Sequence, residues 1–140
     1  MIAVVISSHG RFSQEILKSC EMVCGTRENV RAVTFDAGES ADSLVDKYRA
    51  VIKKLDVREG VLFVTDLFAG SPYNAACRLS LEVENAGVVA GLNMPMLLEI
   101  LSSPALSLQE AKQIAQTVGK EGIRAFETVT AEEDSDKEEL

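Results

Sequence analysis

Apolar and polar positions fall into blocks along the chain, and the period of the blocks changes from one to the next. Ile2-Ala3-Val4-Val5-Ile6 runs unbroken into Ser7-Ser8-His9-Gly10, the pattern of a strand covered on both faces. From Phe12 to Cys24 the spacing turns helical. Phe12, Ile16, Leu17, Cys20, Val23 and Cys24 share one face, and Gly25 breaks the run. Val30 to Phe35 is a second strand. Ala37-Gly38-Glu39-Ser40 is a loop whose last residue is an N-cap for a helix from Ala41 to about Leu55, with a stripe of Leu44, Val45, Tyr48, Val51, Ile52 and Leu55. Gly60 precedes a third strand, Val61–Thr65. Ser71-Pro72 then opens a helix, with serine as N-cap and proline as first helical residue. Val88–Leu92 is a fourth strand. Asn93 caps a short helix from Pro95 to Leu101, and Ser107 to Gly119 is a last long helix ended by glycine. Strands alternating with helices predict an α/β fold, a parallel four-stranded sheet with right-handed crossovers and helices on both faces. Residues 122–129 read either as a fraying end or as a fifth strand, the β-branched and aromatic content favouring the strand.

Charge adds a boundary to this picture. The chain carries 14 Lys and Arg against 22 Asp and Glu, for a net charge of −8. Residues 127–140 alone hold seven carboxylates against Lys137, so the remaining chain is close to neutral. We expect one domain over residues 1–129 and an acidic, disordered tail over residues 130–140. No basic patch is available for nucleic acid, which excludes that class. No apolar run approaches a membrane span, and the N-terminal run lacks the basic lead of a secretory signal. Cys20, Cys24 and Cys77 are odd in number, and with a single histidine they offer no zinc set, so no metal is expected. Cys20 and Cys24, one helical turn apart, read as core thiols in a reducing, cytoplasmic setting.

The candidate chemistry lies at two strand ends. His9 follows the first strand, and Asp66 follows the third in the run Thr65-Asp66-Leu67-Phe68-Ala69-Gly70-Ser71-Pro72. In strand order 2-1-3-4 these strands are neighbours and their loops diverge at the switch point, where ligands collect in open parallel sheets. His9 and Asp66 would face each other there. A carboxylate bonded to one ring nitrogen fixes the tautomer and turns the other outward as a nucleophile. Gly10 and Gly70 allow close backbone approach, Ser8, Thr65 and Ser71 supply hydroxyls, and two helix N-termini point inward, a setting suited to an anion. Taken singly, each feature has a plainer explanation: a structural histidine, a turn aspartate, a routinely capped helix start. The loop is neither a P-loop nor a dinucleotide fingerprint nor a nucleophile elbow.

The residues resemble the mannose-family IIA component of the bacterial phosphoenolpyruvate:sugar phosphotransferase system. The likeness is carried by Val5-Ile6-Ser7-Ser8-His9-Gly10, by Glu28-Asn29-Val30, Lys54-Leu55-Asp56 and Gly60-Val61-Leu62-Phe63, by Asp66 with Gly70-Ser71-Pro72-Tyr73-Asn74-Ala75-Ala76, and by Ala90-Gly91-Leu92-Asn93-Met94-Pro95-Met96-Leu97. It spans roughly residues 1 to 126. The resemblance implies a phosphocarrier. His9 would accept a phosphoryl group at Nε2 from the phosphohistidine of HPr and pass it to a IIB component, which serves the membrane IIC and IID components. Asp66 would orient Nδ1, with Ser71 and Thr65 near the phosphate and no cofactor. It also implies a homodimer that exchanges a C-terminal antiparallel strand, which gives residues 122–129 a role. Ser8 stands where threonine is frequent, and Ala69 replaces the first glycine of a Gly-Gly-Ser-Pro motif. In place of the Pro/Ala-rich linker of fused members comes the acidic tail, so a free-standing IIA protein is expected.

Three alternatives follow from the same residues. One is the phosphocarrier subunit of dihydroxyacetone kinase, which also has an early histidine but lacks the Gly-Ser-Pro-x-Asn-Ala-Ala pattern. Another is a regulatory module that accepts phosphate without passing it on. The third is a histidine phosphatase or mutase, a chemistry that calls for an arginine clamp. Only Arg11 lies close to His9 in sequence, and its place at a helix start suggests solvent exposure.

Overall fold

Residues 1–128 are described by a computed structural model. The elements run β1 (Ala3–His9), α1 (Phe12–Cys24), β2 (Val30–Phe35), α2 (Ala41–Ile52), β3 (Val61–Thr65), α3 (Ser71–Ser80), β4 (Ala86–Ala90), α4 (Met94–Leu101) and α5 (Leu108–Glu121). All pairings are parallel, and the order is β2-β1-β3-β4, as expected from the sequence. The register sets Ser7 beside Thr65 and His9 beside Phe35.

Alternation along β1 divides the core in two. Val4 and Ile6 face α1, α4 and α5 with Leu62, Val64, Leu97 and Ile100. Ala3 and Val5 face α2 and α3 with Phe63, Leu44, Tyr48 and Leu79. Both central strands are thus sealed on both faces, which is why their sequences read as continuous apolar runs. At the end of β1 remote from His9, Asn29 pins the turns. Its side chain accepts from the Asp56 amide at 2.8 Å and donates to the carbonyls of Asp56 and Met1 at 2.8 and 3.3 Å.

Several boundaries differ from expectation for physical reasons. In α1 Ile16, Leu17, Cys20 and Cys24 pack on the core as expected and Ser13 is buried beside them, whereas Phe12 and Val23 are exposed. Ser13 joins the inward face and donates to the Val33 carbonyl at 2.8 Å. Helix α2 stops at Ile52, and Lys53 to Leu55 form a turn that keeps Leu55 packed on the core. Its cap is Ser40, in a reciprocal box with Ser43. Helix α3 is capped by Gly70, so Ser71 is its first residue and makes no cap bond. Strand β4 begins two residues earlier, at Ala86, and ends at Ala90, where Gly91 turns the chain at φ +93. Helix α4 is capped by Asn93, as expected. Helix α5 does not stop at Gly119. That glycine lies inside the helix and lets Met96 pack against it, since a Cβ there would meet Met96 Cε at 2.8 Å. Residues 123–128 take no regular structure within the single chain, and Val129 with the acidic tail lies outside the described residues. No helix among the described residues is long and apolar enough to cross a membrane. The three cysteines are free; Cys20 is buried, and burial pushes its thiol up to about 11, as suits a core side chain.

The Ser13 bond predicts a measurable loss. Ser13→Ala should lower stability by about 1–2 kcal/mol, the cost of a lost buried hydrogen bond, read as a lower urea midpoint at unchanged slope.

Candidate active site

The sheet delivers His9 and Asp66 to the same crevice. Asp66 Oδ2 accepts from His9 Nδ1 at 2.9 Å and from the His9 backbone amide at 3.0 Å, while Oδ1 accepts from the Leu67 amide at 2.9 Å. Both carboxylate oxygens are therefore held, and the carboxylate cannot swing away from the ring without losing three bonds. An acceptor-only partner at Nδ1 requires the proton there and leaves the lone pair on Nε2. The His9 side chain is 46% exposed and Asp66 17%, so the carboxylate lies behind the ring and the imidazole meets solvent. Phe35 supports the ring edge-on, centroids 5.8 Å apart at 85°.

The other wall is the start of α3. Gly70 has no room for a side chain: a Cβ would stand 3.0 Å from His9 Cε1 and 3.2 Å from the Leu67 carbonyl. The loop before it is tight. Gly70 donates to the Leu67 carbonyl at 3.0 Å and Asn74 Nδ2 donates to the Ala69 carbonyl at 3.1 Å. Ala69 sits at φ +64, a left-handed conformation costing a non-glycine residue about 1–2 kcal/mol, so the loop carries strain where the resembling motif has glycine. With no side chain capping α3, the amides of Ser71 and Tyr73 have no helical partner and the Ser71 hydroxyl makes no cap bond. Pro72 has no amide to offer.

The remaining expected residues have different surroundings. Gly10 follows His9 at φ +56 and donates to the Phe35 carbonyl at 2.8 Å, turning the chain from β1 into α1. Ser8 is fully buried, and its hydroxyl accepts from the Ser13 amide at 2.6 Å, satisfying an orphan donor of α1 in place of the capping residue Arg11. Thr65 is also fully buried, and its hydroxyl has no partner. The structure thus brings His9, Asp66, Gly70 and Ser71 together at the surface and sets Ser8 and Thr65 in the layer beneath. Arg11 is exposed and in no ion pair among the described residues, so nothing in the site forms an arginine clamp. Sequence reasoning missed Tyr48, whose buried hydroxyl meets Ser7 Oγ and the Pro72 carbonyl below the crevice. The available signal was a tyrosine in an otherwise aliphatic stripe, since a buried phenol needs a partner.

A doubly wound α/β protein with one carboxylate-oriented imidazole at its switch point is the class that fold and site define. A family model described as PTS system fructose IIA component, EIIA-man, matches residues 3–118. Of its relatives, the mannose-specific EIIAB component of Escherichia coli K12 is 41% identical over 133 residues, which is 94% of this chain and 41% of that protein. The fructose-specific EIIA component of Bacillus subtilis 168 is 41% identical over 102 residues, 73% of this chain and 70% of that protein. The crystal structure of a phosphotransferase system component EIIA from Streptococcus agalactiae superposes with a TM-score of 0.81 at 32% identity, covering 90% of this chain and 98% of that one. The chain belongs to the EIIA-man family, the mannose-family IIA components of the sugar phosphotransferase system. It spans about two fifths of the length of the longer Escherichia coli relative.

The orphaned Thr65 hydroxyl makes a simple prediction. Thr65→Val removes a buried, unbonded polar group at nearly constant shape and should raise stability by up to about 1 kcal/mol, read as a higher urea midpoint.

Proposed function

We propose that the protein is a phosphocarrier in which His9 takes a phosphoryl group from phosphorylated HPr and passes it to a IIB component, coupled through membrane IIC and IID components to sugar uptake. The single observation that carries this reading is the 2.9 Å bond from His9 Nδ1 to a carboxylate held by two further amides, with Nε2 left free. The lone pair of Nε2 attacks phosphorus, the P–N bond to the donor imidazole breaks, and that imidazole keeps the leaving electron pair. The proton stays on Nδ1, where Asp66 stabilises the positive charge that the ring acquires. Passage to IIB repeats the step with His9 as the leaving group. The equatorial oxygens meet the amides of Ser71 and Tyr73 and the Ser71 hydroxyl. In-line positioning and electrostatic support are what such a transfer asks of a protein. The residues Leu67 and Phe68, both well exposed on the loop between Asp66 and Gly70, suit transient docking to one partner after another.

We also infer that the protein acts in the cytoplasm as a homodimer. Among the described residues, strand β4 is a sheet edge with one side of its backbone unpaired. Beside it runs a groove of about 500 Å³ lined by Val88, Ala90, Lys112 and Gln116 that reaches Asp66 and Phe68. The unstructured segment after α5 presents Ile123 and Phe126, the latter 94% exposed. An antiparallel strand from a second copy would cover the edge and the groove together. Phe126→Asp should then shift the protein from dimer to monomer in light scattering; a wild-type protein that is monomeric at micromolar concentration contradicts the dimer.

Incubation with phosphoenolpyruvate, enzyme I and HPr should give an acid-labile, base-stable label. His9→Ala should abolish it, and Asp66→Asn should slow it by about a hundredfold, the scale of a misaligned reacting group. Label that never passes to any IIB would point to a regulatory phosphoacceptor, and steady release of phosphate from small esters would point to a phosphatase.

A further inference from the structure

Tyr48, in α2, is fully buried, and its ring lies 5.2 Å from that of Phe63 at 53°. Phenylalanine would serve that packing equally well, so the hydroxyl needs its own reason. It sits 2.7 Å from Ser7 Oγ and 3.0 Å from the Pro72 carbonyl. A carbonyl only accepts, so the phenol proton goes to Pro72 and the Ser7 hydroxyl donates to the phenol oxygen. One oxygen atom therefore joins α2, the strand that ends in His9 and the first turn of α3. Ser7 precedes His9 by two residues on the same face of β1, and Pro72 directly follows Ser71. Burial raises the phenol's pKa, the Ser7 bond opposes the rise and the charge of Asp66 adds to it, so the group stays protonated and able to donate.

We propose that Tyr48 is a positioning residue for phosphoryl transfer, its hydroxyl setting the gap between the His9 ring and the N-terminal turn of α3. This rests on the phosphocarrier reading of His9. The gap has no slack, since even a methyl group at Gly70 would crowd the ring at 3.0 Å. A first turn released at Pro72 moves the amides of Ser71 and Tyr73 relative to Nε2, and transfer is sensitive to displacements of about 1 Å.

The test is Tyr48→Phe, with phosphoryl transfer from phosphorylated HPr and the nuclear Overhauser contact between His9 Hε1 and Gly70 Hα both measured on the folded fraction. We expect transfer to fall by about tenfold or more and the contact to weaken. A variant that melts earlier yet keeps the wild-type transfer rate and contact would overturn the proposal, because a merely structural tyrosine moves only the melting. If Tyr48→Phe does not fold, Ser7→Ala decides: it keeps the tyrosine ring packed and cuts only the link to β1. A severalfold loss of transfer supports the proposal, and a wild-type rate overturns it. If the wild-type protein takes no label at all, the phosphocarrier reading fails, and the His9–Gly70 contact in the two variants still judges whether the hydroxyl positions the ring.

Discussion

A single carboxylate holds the site in place. Asp66 accepts from the amide of the residue that ends β1, from that residue's ring and from the amide that follows in its own loop. The first of these bonds fastens two strand ends to each other, the second orients the imidazole, and the third fixes the carboxylate. Only a sheet in which β1 and β3 are neighbours permits this, because a strand inserted between them would separate the two groups by about another 4.8 Å. The strand order is thus a requirement of the chemistry as much as a consequence of packing. Gly70 completes the arrangement by bringing the positive end of α3 against the ring.

Beneath this surface layer the protein departs from an apolar interior. Its fully buried polar residues among those described, Ser7, Ser8, Ser13 and Thr65, lie at or next to the ends of β1 and β3, close under His9 and Asp66. Ser8 serves an amide of α1, Ser13 a carbonyl of β2, and Ser7 the phenol of Tyr48. Three hydroxyls in this layer therefore join helices to strands, and the geometry at the crevice rests on those joints. The two halves of the core pack by apolar contact, which is tolerant of small shifts; directed bonds are not. The fully buried ones lie below the reacting groups, where displacement matters most.

Much of this was legible in the sequence, and the exceptions have definite causes. The apolar runs located all four strands, and the equivalent placement of His9 and Asp66 at neighbouring strand ends located the crevice. The pairing of Gly70 and Ser71 is visible in the sequence, although the serine pattern suggests a cap that glycine in fact supplies. Gly119 has the look of a stop signal, but a glycine can equally mark close packing, and only the position of Met96 tells which. Periodicity finds Ile16, Leu17, Cys20 and Cys24 on the inner face of α1 but admits Phe12 and omits Ser13, because the Val33 carbonyl that claims Ser13 belongs to another strand. The same holds for Ser8, whose hydroxyl is occupied by a helix amide that the sequence pattern does not reveal. Residues 123–128 show a strand's composition without a strand's partner within the single chain, and composition cannot report what a second chain would supply.

His9 is the sole histidine, so a ring-labelled sample gives one imidazole spectrum with no assignment problem. Long-range proton–nitrogen correlation of that ring tests the central claim directly. With Asp66 on Nδ1, the neutral ring should carry its proton there, leave Nε2 bare and take phosphorus on Nε2 once the protein is charged. A proton found on Nε2 in the neutral ring, or phosphorus found on Nδ1, would contradict it.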